Sequence, residues 1–110
     1  MSETGLAYKY LRLMKDEELP DGERIIFEIE NAPIVIFKVN GELFATGDLC
    51  THDAGPIGEG ELDGEVIVCP RHGARFDIHT GKALSLPAVT GIPVYPTRIV
   101  DGYIEIGIPE

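Results

Sequence analysis

The sequence predicts an all-β chain, a small sandwich or barrel of short antiparallel strands with two Cys-His loops at one end. Three observations carry the prediction. Runs rich in β-branched and aromatic residues have strand length and end at turn residues. Asn40-Gly41 and Asp101-Gly102 each separate two such runs. No stretch shows a sustained helical period.

In chain order, Lys15 to Leu19 is expected to make at most one helical turn before Pro20 stops it. Arg24 to Glu30 sets Ile25, Phe27 and Ile29 against charged or exposed partners, a half-buried strand. Ile34 to Val39 is a continuous apolar run suited to a more buried one. Asn40-Gly41 then turns the chain back through Leu43, because both central residues of a type I′ turn need positive φ. Glu65 to Cys69 is a short apolar strand leading into the second Cys-His loop, and Tyr95 to Val100 is expected to run unbroken into Asp101-Gly102 and return through Tyr103, Ile104 and Ile106. The aromatics Tyr8, Tyr10, Phe27, Phe37, Phe44, Phe76, Tyr95 and Tyr103 are expected in the core, not as a stacking platform. No repeat or linker interrupts residues 1–110, which are expected to form a single domain.

Composition narrows the function. Nineteen acidic against nine basic residues give a formal charge of -10, which excludes nucleic acid and favours partners with basic docking patches. Much of the acid lies in Asp16-Glu17-Glu18, in Asp21 to Glu23 and between Asp53 and Asp63. Hydrophobic content of 44% is ordinary, no apolar run reaches membrane-spanning length, and Met1 to Tyr10 has neither the basic start nor the apolar stretch of a signal peptide. A cytoplasmic protein without a membrane partner is expected.

The chemistry lies in two motifs. Cys50-Thr51-His52 and Cys69-Pro70-Arg71-His72 are separated by a sixteen-residue spacer, residues 53–68. Each offers one soft thiolate and one imidazole from a short segment, so the two loops together present two sulfurs and two nitrogens to metal. Structural zinc accepts the same donors, but usually pairs Cys with Cys and His with His. Both cysteines are used by the motifs, which leaves none for a disulfide.

On these residues the chain resembles the Rieske iron-sulfur family, whose clusters are held by Cys-X-His and Cys-X2-His loops. The resemblance continues through Pro70, Gly73, Phe76 and Asp77 to Thr80-Gly81 and Leu86-Pro87-Ala88. It implies a cluster-binding subdomain around one Rieske-type 2Fe-2S cluster, with Cys50 and Cys69 on one iron and His52 and His72 on the other. It also implies that the His-bound iron is the one reduced, so that electrons leave by the imidazoles. High-potential respiratory relatives carry a second Cys in each loop, joined as a disulfide, and a Ser and a Tyr that donate hydrogen bonds to sulfur. Here those positions are Gly55, Arg71, Ala74 and Phe76, so the resemblance is to the low-potential soluble ferredoxins, near about -150 mV.

Gly55-Pro56 and Gly73 punctuate the ligand loops, and ordinary turn chemistry accounts for Gly58 and Gly60. The resemblance makes Leu86, Pro87 and Ala88 a third loop that covers the cluster. His79 is expected at an exposed turn without a role. One histidine beyond the motifs cannot build a mononuclear iron triad, and the chain is not expected to be an enzyme. The function implied is a monomeric one-electron carrier from a flavoprotein ferredoxin reductase, dependent on NAD(P)H, to the terminal oxygenase of an aromatic-ring-hydroxylating dioxygenase, with no small-molecule substrate of its own. The small Rieske-type subunit of an assimilatory nitrite reductase and a zinc-bound interaction module are the alternatives.

Overall fold

The computed structural model describes residues 7–48, 57–70, 73–85 and 91–109. Among these residues ten strands follow one another: β1 (Tyr8–Lys15), β2 (Arg24–Ile29), β3 (Ala32–Val39), β4 (Glu42–Gly47), β5 (Glu61–Asp63), β6 (Val66–Val68), β7 (Arg75–Asp77), β8 (Val94–Tyr95), β9 (Thr97–Val100) and β10 (Tyr103–Pro109). They pair antiparallel into three sheets, ordered β1-β10-β9, β2-β3-β4-β8 and β5-β6-β7. Among the described residues the one helical element is a 3-10 turn, Asp16–Glu18, closed by the Leu19 N–H on the Asp16 carbonyl at 3.1 Å. No helix among them is long and apolar enough to cross a membrane.

The continuous apolar run of β3 has a physical consequence. Its residues are buried on both faces, so the β2-β3-β4-β8 sheet is the middle of three layers. Ile34 and Ile36 point with Ile29 and Ala45 toward Ile104, Ile106 and Ile108 of β10. Val35 and Phe37 point the other way, with Phe44, toward Ile67 and Phe76 of the small sheet and Cys69 and Ile78 just beyond its strands. Phe37 and Phe76 are fully buried, and truncating either to Ala would cost about 3–5 kcal/mol in this packing. Lys38, also on β3, is nearly buried and its ammonium is held by the Asp16 carboxylate at 2.8 Å and the Asp16 carbonyl at 3.0 Å.

Both expected hairpins are present. Asn40 and Gly41 have φ of 54° and 83°, Asp101 and Gly102 of 54° and 81°, the paired positive values a type I′ turn requires. Two expectations are corrected. The run from Tyr95 to Val100 is broken at Pro96: β8 pairs with β4 in the middle sheet and β9 with β10 in the outer one. Proline has no N–H for a ladder, while its carbonyl accepts from Gly107 at 2.9 Å, so the chain changes sheets there. The aromatics divide by position, with Phe27 and Tyr95 packed against the core as expected. Phe37, Phe44 and Phe76 are core, whereas Tyr8 is 39% exposed, Arg98 stacks on Tyr10 at 3.8 Å and Arg12 on Tyr103 at 4.6 Å. Their phenol groups favour the wet outer face of the β1-β10-β9 sheet.

Candidate metal centre

The β6-β7 hairpin presents the second Cys-His loop. Val66 pairs with Asp77, Ile67 with Phe76 and Val68 with Arg75, so the pairing delivers Cys69 directly to the turn. The Cys69 N–H donates to the Ala74 carbonyl at 2.7 Å and the Gly73 N–H donates back to the Cys69 carbonyl at 3.0 Å. The Cys69 thiol is free, 1% exposed, and belongs to the buried cluster that includes Phe37, Ile57, Ile67, Ala74 and Phe76. A buried sulfur at the mouth of a closed turn, facing apolar side chains and no second cysteine among the described residues, fits a thiolate ligand of a sulfur-rich cluster. Cys50, His52 and His72 lie outside the described residues, as do Gly55, Pro56 and Arg71.

The first Cys-His motif falls between Asp48 and Ile57. Asp48, 4% exposed, donates its N–H to the Pro33 carbonyl at 2.9 Å, and one carboxylate oxygen accepts from the Ile57 N–H at 3.1 Å and the Gly58 N–H at 2.5 Å. From the other side Arg24 donates to the carbonyls of Gly58 at 2.7 Å and Gly60 at 2.5 Å. Sequence reasoning missed both side chains, since a lone Asp after a strand and a lone Arg at the start of one carry no spacing signal. The two glycines lie in a turn as expected, but the turn is not what requires glycine. A Cβ on Gly58 would stand 2.8 Å from the Asp48 carboxylate, and one on Gly60 only 1.8 Å from the Val68 carbonyl oxygen. Close approach, not turn conformation, requires glycine there.

A third connection leaves the small sheet at Ser85, whose hydroxyl accepts from the Arg75 N–H at 3.2 Å, while the Leu84 N–H donates to the Arg75 carbonyl at 2.8 Å. The chain re-enters at Ile92, whose N–H donates to the Gly81 carbonyl at 2.7 Å. Leu86, Pro87 and Ala88, expected to cover the cluster, lie outside the described residues. His79 sits at an exposed turn as expected, its ring tilted against Phe44 at 5.5 Å and 3.6 Å from the Glu65 carboxylate. Glu59, Glu61, Asp63 and Glu65 are exposed along the small sheet, with Asp63 paired to Arg75 at 3.1 Å. Asp53 lies outside the described residues.

Comparison with known proteins agrees with this arrangement. The family described as Rieske 2Fe-2S domain matches residues 9–96. A relative from Ralstonia sp., the ferredoxin component of naphthalene 1,2-dioxygenase/salicylate 5-hydroxylase systems, is 40% identical over 83 residues, covering 76% of this chain and 80% of its own length. Among solved structures, the Sphingomonas yanoikuyae B1 ferredoxin aligns with a TM-score of 0.83 at 37% identity, covering 92% of this chain and 100% of that one. A chain of the complex of reduced oxygenase and oxidized ferredoxin in carbazole 1,9a-dioxygenase aligns with a TM-score of 0.82 at 30% identity, covering 88% and 91%. The zinc alternative gives way to this match. The chain belongs to the Rieske 2Fe-2S domain family, holding one 2Fe-2S cluster as an electron-transfer component and not as an enzyme.

Proposed function

We propose that Cys50 and Cys69 hold one iron and His52 and His72 the other, and that the chain is a monomeric cytoplasmic ferredoxin. In this reading it receives single electrons from an NAD(P)H-dependent flavoprotein reductase and passes them to the terminal oxygenase of an aromatic-ring-hydroxylating dioxygenase. The observation that carries the site is Cys69: a free, buried thiol at a turn closed by two backbone hydrogen bonds, three residues before His72. Support for the oxygenase comes from the relatives, which are ferredoxin components of dioxygenase systems, and from the aligned ferredoxin-oxygenase complex.

When bound, the cluster supplies a one-electron ferric-ferric to ferric-ferrous couple. The protein's part is positional. The Cys69-Ala74 and Gly73-Cys69 hydrogen bonds hold the sulfur in one place, which limits rearrangement between charge states. Burial in the cluster of Ile57, Ile67 and Phe76 keeps Cys69 from water. At positions 74 and 76 the side chains are a fully buried Ala and Phe, which offer sulfur no hydroxyl donor and so favour a low potential. The acidic surface adds long-range attraction to basic docking patches and permits release at cellular salt.

Stopped-flow mixing tests the reading. NADH and the flavoprotein reductase of a ring-hydroxylating dioxygenase should bleach the visible cluster absorption, and the oxidised oxygenase should restore it. A protein that accepts no electron from such a reductase, or delivers none to an oxygenase, would contradict it.

A further inference from the structure

We propose that Asp48 and Arg24 clamp the turn from Ile57 to Gly60 and so set the placement of the two ligand loops relative to each other, both as positioning residues. The inference rests on the cluster assignment above. Asp48 stands two residues before Cys50, and Val68 one residue before Cys69. Between them lies a single four-residue turn. On one side the Asp48 carboxylate accepts from the N–H groups of Ile57 and Gly58. On the other, Gly60 is pressed against Val68 so closely that a Cβ would stand 1.8 Å from the Val68 carbonyl oxygen. The Gly60 N–H donates back to Ile57 at 2.9 Å, which closes the turn on itself. The separation of the two ligand strands is thus transmitted through this turn.

Charge makes the grip directional. The N–H of Gly58 meets a carboxylate and its carbonyl meets a guanidinium, so one residue is held from both ends by charge-assisted hydrogen bonds. The guanidinium lies 5.7 Å from the ring centroid of Phe37, whose side chain is buried in the same core as Cys69. Asp48 is 4% exposed, and a buried carboxylate is costly where an apolar residue would serve for packing alone. Its presence there is explained by what it holds. Partners beyond the direct ligands commonly tune metal affinity by about 10–100-fold, by holding ligands in a productive geometry.

Purified holoprotein carrying Asp48→Ala, Asp48→Asn or Arg24→Gln tests this. Iron release to excess EDTA is followed through the loss of visible absorption, the reduced electron-spin signal is recorded, and hydrogen exchange is measured at Ile104 and Ile106. Asp48→Ala and Arg24→Gln should release iron about 10–100-fold faster and broaden the signal, with β10 amides as protected as in the wild type. Asp48→Asn keeps an acceptor oxygen in place and should lie nearer the wild type than Asp48→Ala. If Asp48→Ala does not accumulate, Arg24→Gln decides on the same readouts. Wild-type release rates in Asp48→Ala and Arg24→Gln would overturn the proposal, and so would a loss of β10 protection in step with iron loss, since the role would then be general stability. Wild-type protein without iron and sulfide would instead remove the cluster assignment itself.

Discussion

Replacing Gly60 by Ala isolates a steric constraint that joins β6 to the turn after the first ligand motif. The new Cβ would stand 1.8 Å from the Val68 carbonyl oxygen, against a floor of 3.0 Å for such contacts, so something must move by at least the difference of 1.2 Å. Val68 pairs with Glu61 on one side and Arg75 on the other, which leaves the turn as the part that yields. Its retreat would weaken the Glu61-Val68 pair and the hydrogen bonds from Arg24. A backbone hydrogen bond contributes about 0.5–1.5 kcal/mol and one to a charged group about 1.5–3 kcal/mol, for a total near 2–4 kcal/mol. At about 4–8 °C per kcal/mol for a domain of this size, the thermal midpoint should fall by about 8–30 °C. Gly64→Ala is the control. Gly64 has φ of +63° and nothing within 4 Å of a built Cβ, so Ala there meets only conformational strain of about 1–2 kcal/mol. Far-UV circular dichroism melts of both holoproteins at one scan rate measure the difference. A Gly60→Ala midpoint within a few degrees of wild type, or above that of Gly64→Ala, would refute the reasoning.

Three further outcomes are expected. The double variant Ala74→Ser with Phe76→Tyr places hydroxyls at fully buried positions beside the Cys69 turn and should raise the midpoint potential by tens of millivolts within the about -150 to +300 mV Rieske span; unchanged voltammetry would reject the missing donors as the cause of a low potential. Glu105 is held by the Arg98 hydrogen bond, with Arg12 adding to it, and its carboxyl is lowered from the ordinary value of 4.5. A lowered folded value means stability that is present above the unfolded carboxyl's range and lost as pH falls through the folded one. Glu105→Gln should therefore melt below wild type at neutral pH and converge with it in acid, and parallel melting curves across pH would contradict this. Reduction of the oxygenase should slow several-fold as ionic strength rises from about 0.01 to 0.3 M, since screening shortens the reach of the acidic surface; a flat or rising rate would count against electrostatic docking.

What was legible in the sequence is what local chemistry dictates. Asn40-Gly41 and Asp101-Gly102 announced their hairpins because few other dipeptides take two positive φ values in succession. The uninterrupted run of β3 announced a strand with no exposed face, and two interleaved Cys-His pairs announced the family. Long-range features did not show. The strand β1 went unread because a register shift between Arg12 and Met14 puts Leu13 and Met14, side by side in sequence, both against the core and erases the alternation. β5 and β7 have three residues each, too few to establish a period. The break at Pro96 depends on which sheet each half joins. Asp48, Arg24 and Gly60 acquire their meaning only when residues 24, 48, 58 and 68 are brought together, and no spacing rule links them.

The central claim is a cluster held by two thiolates and two imidazoles, and pulsed electron-spin resonance of dithionite-reduced protein labelled with 15N-histidine tests it most directly. The account predicts a rhombic signal with average g below 2, coupled to two distinct histidine nitrogens, one of them lost when His52 or His72 is replaced. A signal without histidine coupling, or coupling that survives both replacements, would contradict it.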